Sequence, residues 1–198
     1  DIGVIAASTK ASVADVVDTT IGADYIVFGA KFQPFSPDVY DAVRDTPGAS
    51  VVTYVRQVPI KVADDQSALT GVEPAKFTQV VDLTMVSGSL SNLALGEVAV
   101  DDKTAEAAGV KVGDTITGTF VNGTSKLVVR AIYENAGAYQ GWISSMPTLM
   151  SIGARELDTA IYVKAASDAD LGTVKDELDR RIKPFPTVTI FMESRHDP

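Results

Sequence analysis

Cysteine is missing from this 198-residue chain, and its absence removes disulfides, thiolate metal sites and cysteine nucleophiles together. Compartment stays open, because cysteine-free chains occur inside and outside cells. Histidine is almost as scarce: the only imidazole belongs to His196. A Ser-His-Asp triad or a multi-histidine metal site would have to draw on that residue or on another subunit, so both chemistries are set aside. Basic clusters are lacking as well. With 17 Lys and Arg against 26 Asp and Glu, and a net charge of -9, the surface repels phosphate backbones; nucleic acid is excluded as a partner and anionic membrane surfaces are disfavoured. Neither GxxxxGK[ST] nor GxGxxG follows a strand pattern, and the EF-hand pattern of alternating oxygen ligands is absent, so no cofactor or metal is expected. No apolar run approaches the roughly 20 residues of a membrane span.

What is present suits a folded α+β protein. Hydrophobic residues make up 45% and charged residues 22%, enough for a substantial core and unlike a disordered chain. Residues 2–7 (IGVIAA) form a short apolar segment without a basic region before it, which fits either a buried helical turn or the end of a longer hydrophobic helix. Val13, Val16, Val17 and Ile21 recur at helical spacing, predicting an amphipathic helix over 8–20. The period then changes. Residues 24–28 (DYIVF) suit a strand buried on both faces. Ser36-Pro37-Asp38 is a helix start, with a capping hydroxyl, a proline at the first helical position and a carboxylate near the positive end of the dipole, and Val39, Tyr40 and Val43 form the buried side. Pro47-Gly48 closes that helix and opens a long β-branched strand over 50–62.

The same order returns near the other end. Residues 159–164 (TAIYVK) read as a strand, Ser167 as the cap of a helix carrying Leu171, Val174, Leu178 and Ile182 on one stripe, and 187–191 as another strand. Two strand-helix-strand units, each too small to fold alone, most economically share one sheet with both helices on one face, a split, ferredoxin-like α+β layer. The middle has shorter strands and more glycine. Val72-Glu73-Pro74 leads into a short helix to Val80, and 85–95 is loop-rich. Residues 96–120 read strand, helix, strand, with Asp101 or Asp102 at the helix start and Gly109 past its end. Asn122-Gly123 predicts a tight hairpin between strands at 115–120 and 126–133. The expected organisation is a discontinuous outer subdomain, 1–62 with 155–198, carrying an inserted β-rich subdomain over 63–154.

Paired carboxylates invite a catalytic reading. Asp64-Asp65 and Asp101-Asp102 are adjacent in sequence, however, and neighbouring residues on a strand point to opposite faces. The first pair suits a polar turn and the second a helix cap. Asn122-Gly123-Thr124 also satisfies a glycosylation sequon, although the turn explains the same residues. Residues 136–152 (AGAYQGWISSMPTLMSI) read as a loop with unusual apolar content. Two roles fit it: plugging a junction between subdomains, or forming a surface for substrate or an extracytoplasmic partner. The residues expected to make such a contact are Tyr139, Trp142, Ile143, Met146 and Met150.

This order, with GEVAV (96–100), AAGVKVGDTI (107–116) and LVVRAIY (127–133), resembles the extracytoplasmic domain of FtsX-like, MacB-type ABC transporter permeases. In that family a transmembrane helix precedes an extended run, a proline-capped helix and a Pro-Gly strand entry, matched here by 2–7, 24–28, 36–46 and 47–55. The resemblance implies a porter-like part formed from both ends, a β-rich inserted part, and a non-catalytic role. It also implies a cytoplasmic ATP-binding subunit acting through transmembrane helices, a permease dimer, and a location on the outer side of the membrane. Two other functions remain open at this point: a free-standing secreted binding or adhesion module, and a hydrolase using scattered carboxylates such as Asp64 and Asp101.

Overall fold

The computed structural model of the protein describes residues 21–135 and 139–192; the helix expected over 8–20, the apolar segment 2–7 and the tail 193–198 lie outside them. The first elements in chain order are β1 (Tyr25–Gly29), α1 (Asp38–Val43), β2 (Ala49–Val62), β3 (Asp65–Val72), α2 (Pro74–Val80), β4 (Met85–Ser87), β5 (Glu97–Asp101) and α3 (Asp102–Ala108). They are followed by β6 (Thr115–Phe120), β7 (Gly123–Tyr133), β8 (Trp142–Ser145), α4 (Met146–Ser151), β9 (Ala160–Ala165), α5 (Leu171–Ile182) and β10 (Val188–Met192). No helix among the described residues is long and apolar enough to cross a membrane.

The two strand-helix-strand units share one antiparallel sheet in the order β10-β1-β9-β2. Each helix connects strands separated by one from the other unit, which is the split βαβ pattern. Period-2 alternation decides which side chain goes where. Tyr25, Val27, Val52, Ile161 and Val163 face Val39 and Val43 of α1 and Val174 and Leu178 of α5. Ile26, Val51, Val55, Ala160 and Tyr162 face the other way, onto Phe77 and Val80 of α2 and onto Ile143 of β8. Local signals hold α1 and α5 in place. The Ser36 hydroxyl accepts the Asp38 N–H at 3.1 Å. The cap of α5 is Asp170, whose carboxylate accepts the Thr173 N–H at 2.9 Å, rather than the expected Ser167. Residues 166–169 form a tight turn through Ala169 N–H to Ala166 C=O at 3.0 Å, and that turn delays the helix start.

The remaining strands close on themselves. The ring runs β2-β3-β8-β5-β7-β6 and returns to β2 through the pair Lys61–Thr119, with β4 added beyond β7. Its interior is filled by Ile60, Leu69, Val98, Val100, Ile116, Leu127, Val129, Trp142, Met146 and Leu149. β2 is common to both layers. Its first half pairs with β9 as far as Val55, and from Arg56 onward it pairs with β3. The change of partner therefore falls inside a single 14-residue strand.

Three local expectations are corrected. Residues 142–151 are not loop: Trp142–Ser145 is a strand parallel to β3, and Met146–Ser151 is a helix capped by the Ser145 hydroxyl. In the β6–β7 hairpin, Phe120 pairs with Gly123, so Val121 and Asn122 are the turn residues and the positive φ of 134° falls on Gly123. The polar turn expected at Asp64-Asp65 consists of Ala63 and Asp64, and Asp65 opens the eight-residue strand β3. The turn before it puts positive φ on Ala63 (48°) and Asp64 (65°), the left-handed pair of a two-residue hairpin.

Candidate functional site at the seam of the two sheets

Arg56 interrupts the apolar run of β2 at the residue where the strand changes partners. Only 7% of it is exposed. A buried guanidinium needs an anion, and Asp158, just before β9, supplies one with Nε to Oδ1 at 2.7 Å. The guanidinium also lies 5.0 Å from the centre of the Tyr54 ring, and Nη1 contacts the Met150 sulfur at 3.3 Å. Asp158 is fully buried, and its Oδ2 has no donor among the described residues. Burial pushes its carboxyl above the ordinary range, while the bond and charge of Arg56 pull it back. The Asp158 backbone is held to Phe35 by two bonds, Phe35 N–H to Asp158 C=O at 2.9 Å and Asp158 N–H to Phe35 C=O at 2.8 Å. One ion pair thus ties the strand that leaves the first sheet to the segment that returns to it.

Beside this pair lies a cleft of about 370 Å³. It is lined by Pro34 and by Gln57, Val58 and Pro59 of β2, and the β6–β7 hairpin tip at Phe120–Asn122 forms part of its wall. Ile152, Ala154, Arg155 and Leu157, after α4, complete it. Asn122 Nδ2 donates to the Gly153 carbonyl at 3.4 Å, a long latch across that wall. Val121 at the tip is 89% exposed.

The aspartates proposed from sequence separate cleanly. Asp64 lies on the exposed β2–β3 turn, with Lys61 Nζ 3.7 Å away. Asp101 is fully buried and caps α3 by accepting the Thr104 N–H at 3.0 Å. It does more than cap. It also accepts Asn135 Nδ2 at 2.6 Å and the Gly141 N–H at 2.7 Å, while Asp102 accepts the Asn135 N–H at 2.9 Å. With its carboxylate shared among three donors, Asp101 is a fastener for the segment after β7, not a base in reach of substrate.

The apolar residues expected to form a contact surface lie inside. Trp142 and Met146 point into the ring, and Tyr139 and Ile143 fill the seam between the ring and the first sheet. Tyr139 is 1% exposed, packs edge-on against Phe77 at 5.2 Å and shares a hydroxyl hydrogen bond with Tyr162. Burial raises both of these hydroxyls well above the ordinary tyrosine range. Only Met150 is half-buried, against Arg56. Tyr139 and Ile143 thus pack at the seam, and Trp142 and Met146 within the ring. Arg56 and Asp158 are the residues that sequence reasoning overlooked. The available signal was a lone charge in VVTYVRQV, because a strand covered on both faces can hold an arginine only with a partner.

Residues 2–181 match the family described as MacB-like periplasmic core domain. No curated protein matches significantly. Among solved structures, the periplasmic region of MacB from Actinobacillus actinomycetemcomitans is similar at 15% identity and TM-score 0.65, covering 87% of this chain and 90% of that one. The extracellular domain of the noncanonic ABC-type transporter YknZ from Gram-positive bacteria aligns at 12% identity and TM-score 0.62, covering 87% and 100%. A domain of a putative permease from Porphyromonas gingivalis gives 13% and 0.54, covering 90% and 92%. At such identities the structures establish shared fold, and the family match establishes membership. An α+β sheet of split βαβ units joined through one strand to a closed β ring, matched over 2–181, makes this chain a member of the MacB-like periplasmic core domain family, the extracytoplasmic part of ABC transporter permeases.

Proposed function

We propose that this domain transmits force. Motion of transmembrane helices, driven by ATP hydrolysis in a cytoplasmic subunit, would reach the first sheet and pass through β2 into the ring, where it is converted into substrate export or a signal to an extracytoplasmic partner. The observation that carries this reading is the continuity of β2 across both layers, with the Arg56–Asp158 pair at the crossing. A hydrogen-bonded strand is stiff along its length, and a buried ion pair resists shear, so displacement at one end is not absorbed at the seam.

The pairing of the first and last described strands supports it. Tyr25 and Met192 are directly paired on β1 and β10, so segments leaving there start side by side at one end of the first sheet. The ring's β2–β3 turn lies at the other end of β2. In this reading residues 1–62 with 155–198 form the membrane-proximal body and 63–154 the distal one, two copies of the permease work as a dimer, and the domain performs no catalysis itself.

Inserting three glycines between Arg56 and Gln57 in the parent transporter tests the coupling. Export is expected to fall to background while ATP hydrolysis by the cytoplasmic subunit continues. Unchanged export would overturn the mechanical role.

A further inference from the structure

We infer that Asn122 is a site of spontaneous modification, where the Asn-Gly pair at the β6–β7 hairpin tip closes to a succinimide and reopens as aspartate or isoaspartate. The step needs only water. The backbone nitrogen of Gly123, having given its proton to base, attacks the Asn122 side-chain carbon Cγ. The new C–N bond closes the imide ring, and the former Nδ2 leaves as ammonia. Water then opens either ring carbonyl, so the net exchange is amide and water for acid and ammonia. A nucleophile on the next residue carries the high effective concentration of an intramolecular reaction, and asparagine is a thermolabile side chain. Glycine supplies the access. Nothing lies within 4 Å of where a side chain at Gly123 would begin, and its φ of 134° is in the region that favours glycine.

The asparagines of the chain are Asn92, Asn122 and Asn135, and the fold treats them differently. Asn135 is held, its Nδ2 donating to Asp101 at 2.6 Å and its N–H to Asp102 at 2.9 Å. Asn92 is exposed, but it precedes Leu93, whose branched side chain is buried in the core and restrains the nitrogen that would attack. Asn122 is exposed on a turn, and its one side-chain hydrogen bond among the described residues is the 3.4 Å donation to the Gly153 carbonyl. Conversion removes that donor and sets a negative oxygen against the carbonyl, so the latch between the hairpin tip and the segment after α4 is lost. Isoaspartate also adds a methylene to the main chain of the turn. Thr119, which closes the ring through its pair with Lys61, lies on the same hairpin, so β6 loosens along with the tip. This site is independent of the force-transmission reading, because it is read on the 198-residue chain alone.

The test is timed incubation of the folded chain at pH 8, followed by peptide mapping that separates asparagine, aspartate and isoaspartate. Conversion at Asn122 is expected to run at least about tenfold faster than at Asn92 or Asn135. At pH 6 it should slow about tenfold or more, because the attacking nitrogen must lose a proton. Asn122→Gln keeps an amide but closes a larger ring less readily; it should retain the thermal transition and suppress conversion at this position about tenfold or more. Hydrogen exchange over β6 should quicken about threefold or more in the aged chain and in Asn122→Asp, and Asn122→Gln should exchange like the fresh chain. No conversion at Asn122 in the folded chain, or equal rates at the three asparagines, would overturn the site. An aged chain whose β6 exchanges like the fresh one would overturn the unlatching.

Discussion

Arg56 shows how much a single charge can decide when its surroundings are apolar. Replacing it with Met removes the cation but leaves Asp158 inside, and breaking a buried pair in this way costs about 3–5 kcal/mol. Arg56→Met should therefore lose that much in urea unfolding at pH 7, whereas Arg56→Met with Asp158→Leu should recover most of it. The pH dependence has a definite sign. Burial raises the folded Asp158 carboxyl above its ordinary 3.8, so its favourable contribution is full below 3.8 and is lost as pH rises through the folded value. Without Arg56 that loss grows, so the deficit of the single variant should shrink toward pH 4. A loss under about 1 kcal/mol at pH 7 would mean that the pair clamps nothing. Asp101 is the second such residue. Its three donors come from α3, from Asn135 and from Gly141, and bonds to a charged acceptor are worth about 1.5–3 kcal/mol each. Asp101→Ala should cost at least about 3 kcal/mol by denaturant unfolding. The capping role was legible, because an aspartate before an alanine-rich helix has a local reason to be there. The other two bonds were not, since they depend on where a segment 34 and 40 residues later is placed.

Elements announced themselves in proportion to their periodicity and punctuation. The stripe of α5 and the apolar runs of β1 and β2 are local patterns; β1 and β2 lie within a residue of their expected bounds, and α5 starts three residues later than a Ser167 cap implies. Residues 142–151 failed because WISSMPTLMS is apolar without a period. The overlooked signal was Ser145 followed by Pro147, a cap and a first-turn proline, and the Ser145 hydroxyl does accept from the Thr148 N–H. The β2–β3 hairpin is similar. Nothing in Ala63-Asp64 advertises two positive φ angles, and both residues occupy them at a cost. Changing the pair to Asn-Gly should stabilise the domain by about 1 kcal/mol, measured by urea midpoint at unchanged slope. No gain would argue against this turn geometry. In α5, Glu177 bonds both Arg180 and Arg181, which holds its carboxyl at about 2. For a lowered carboxyl the stabilisation is present above the ordinary 4.5 and lost as pH falls through about 2. Glu177→Gln should therefore flatten the melting-temperature profile between these values, and an unaltered acid limb would refute the linkage.

At the scale of the whole molecule, the first sheet was visible as two repeated units and the ring was not. Closing the ring needs the parallel pairing of β3 with β8 across some seventy residues of chain and the lone Lys61–Thr119 pair, and no local pattern encodes either. What joins ring to sheet is also non-local. One face of the first sheet, through Ile26, Val55, Ala160 and Tyr162, packs on Phe77, Val80, Tyr139 and Ile143. Phe77 sits at the middle of this interface, fully buried against Tyr139. Phe77→Ala should cost about 3–5 kcal/mol through lost burial and the cavity left behind. The informative result is the shape of the transition. If apolar packing at the seam makes the two layers one cooperative unit, the wild-type chain should unfold with equal calorimetric and van't Hoff enthalpies, and Phe77→Ala should drive the van't Hoff value below the calorimetric one. A variant that loses stability but keeps the ratio at one would assign cooperativity to β2 and its ion pair alone, leaving the apolar seam as filling.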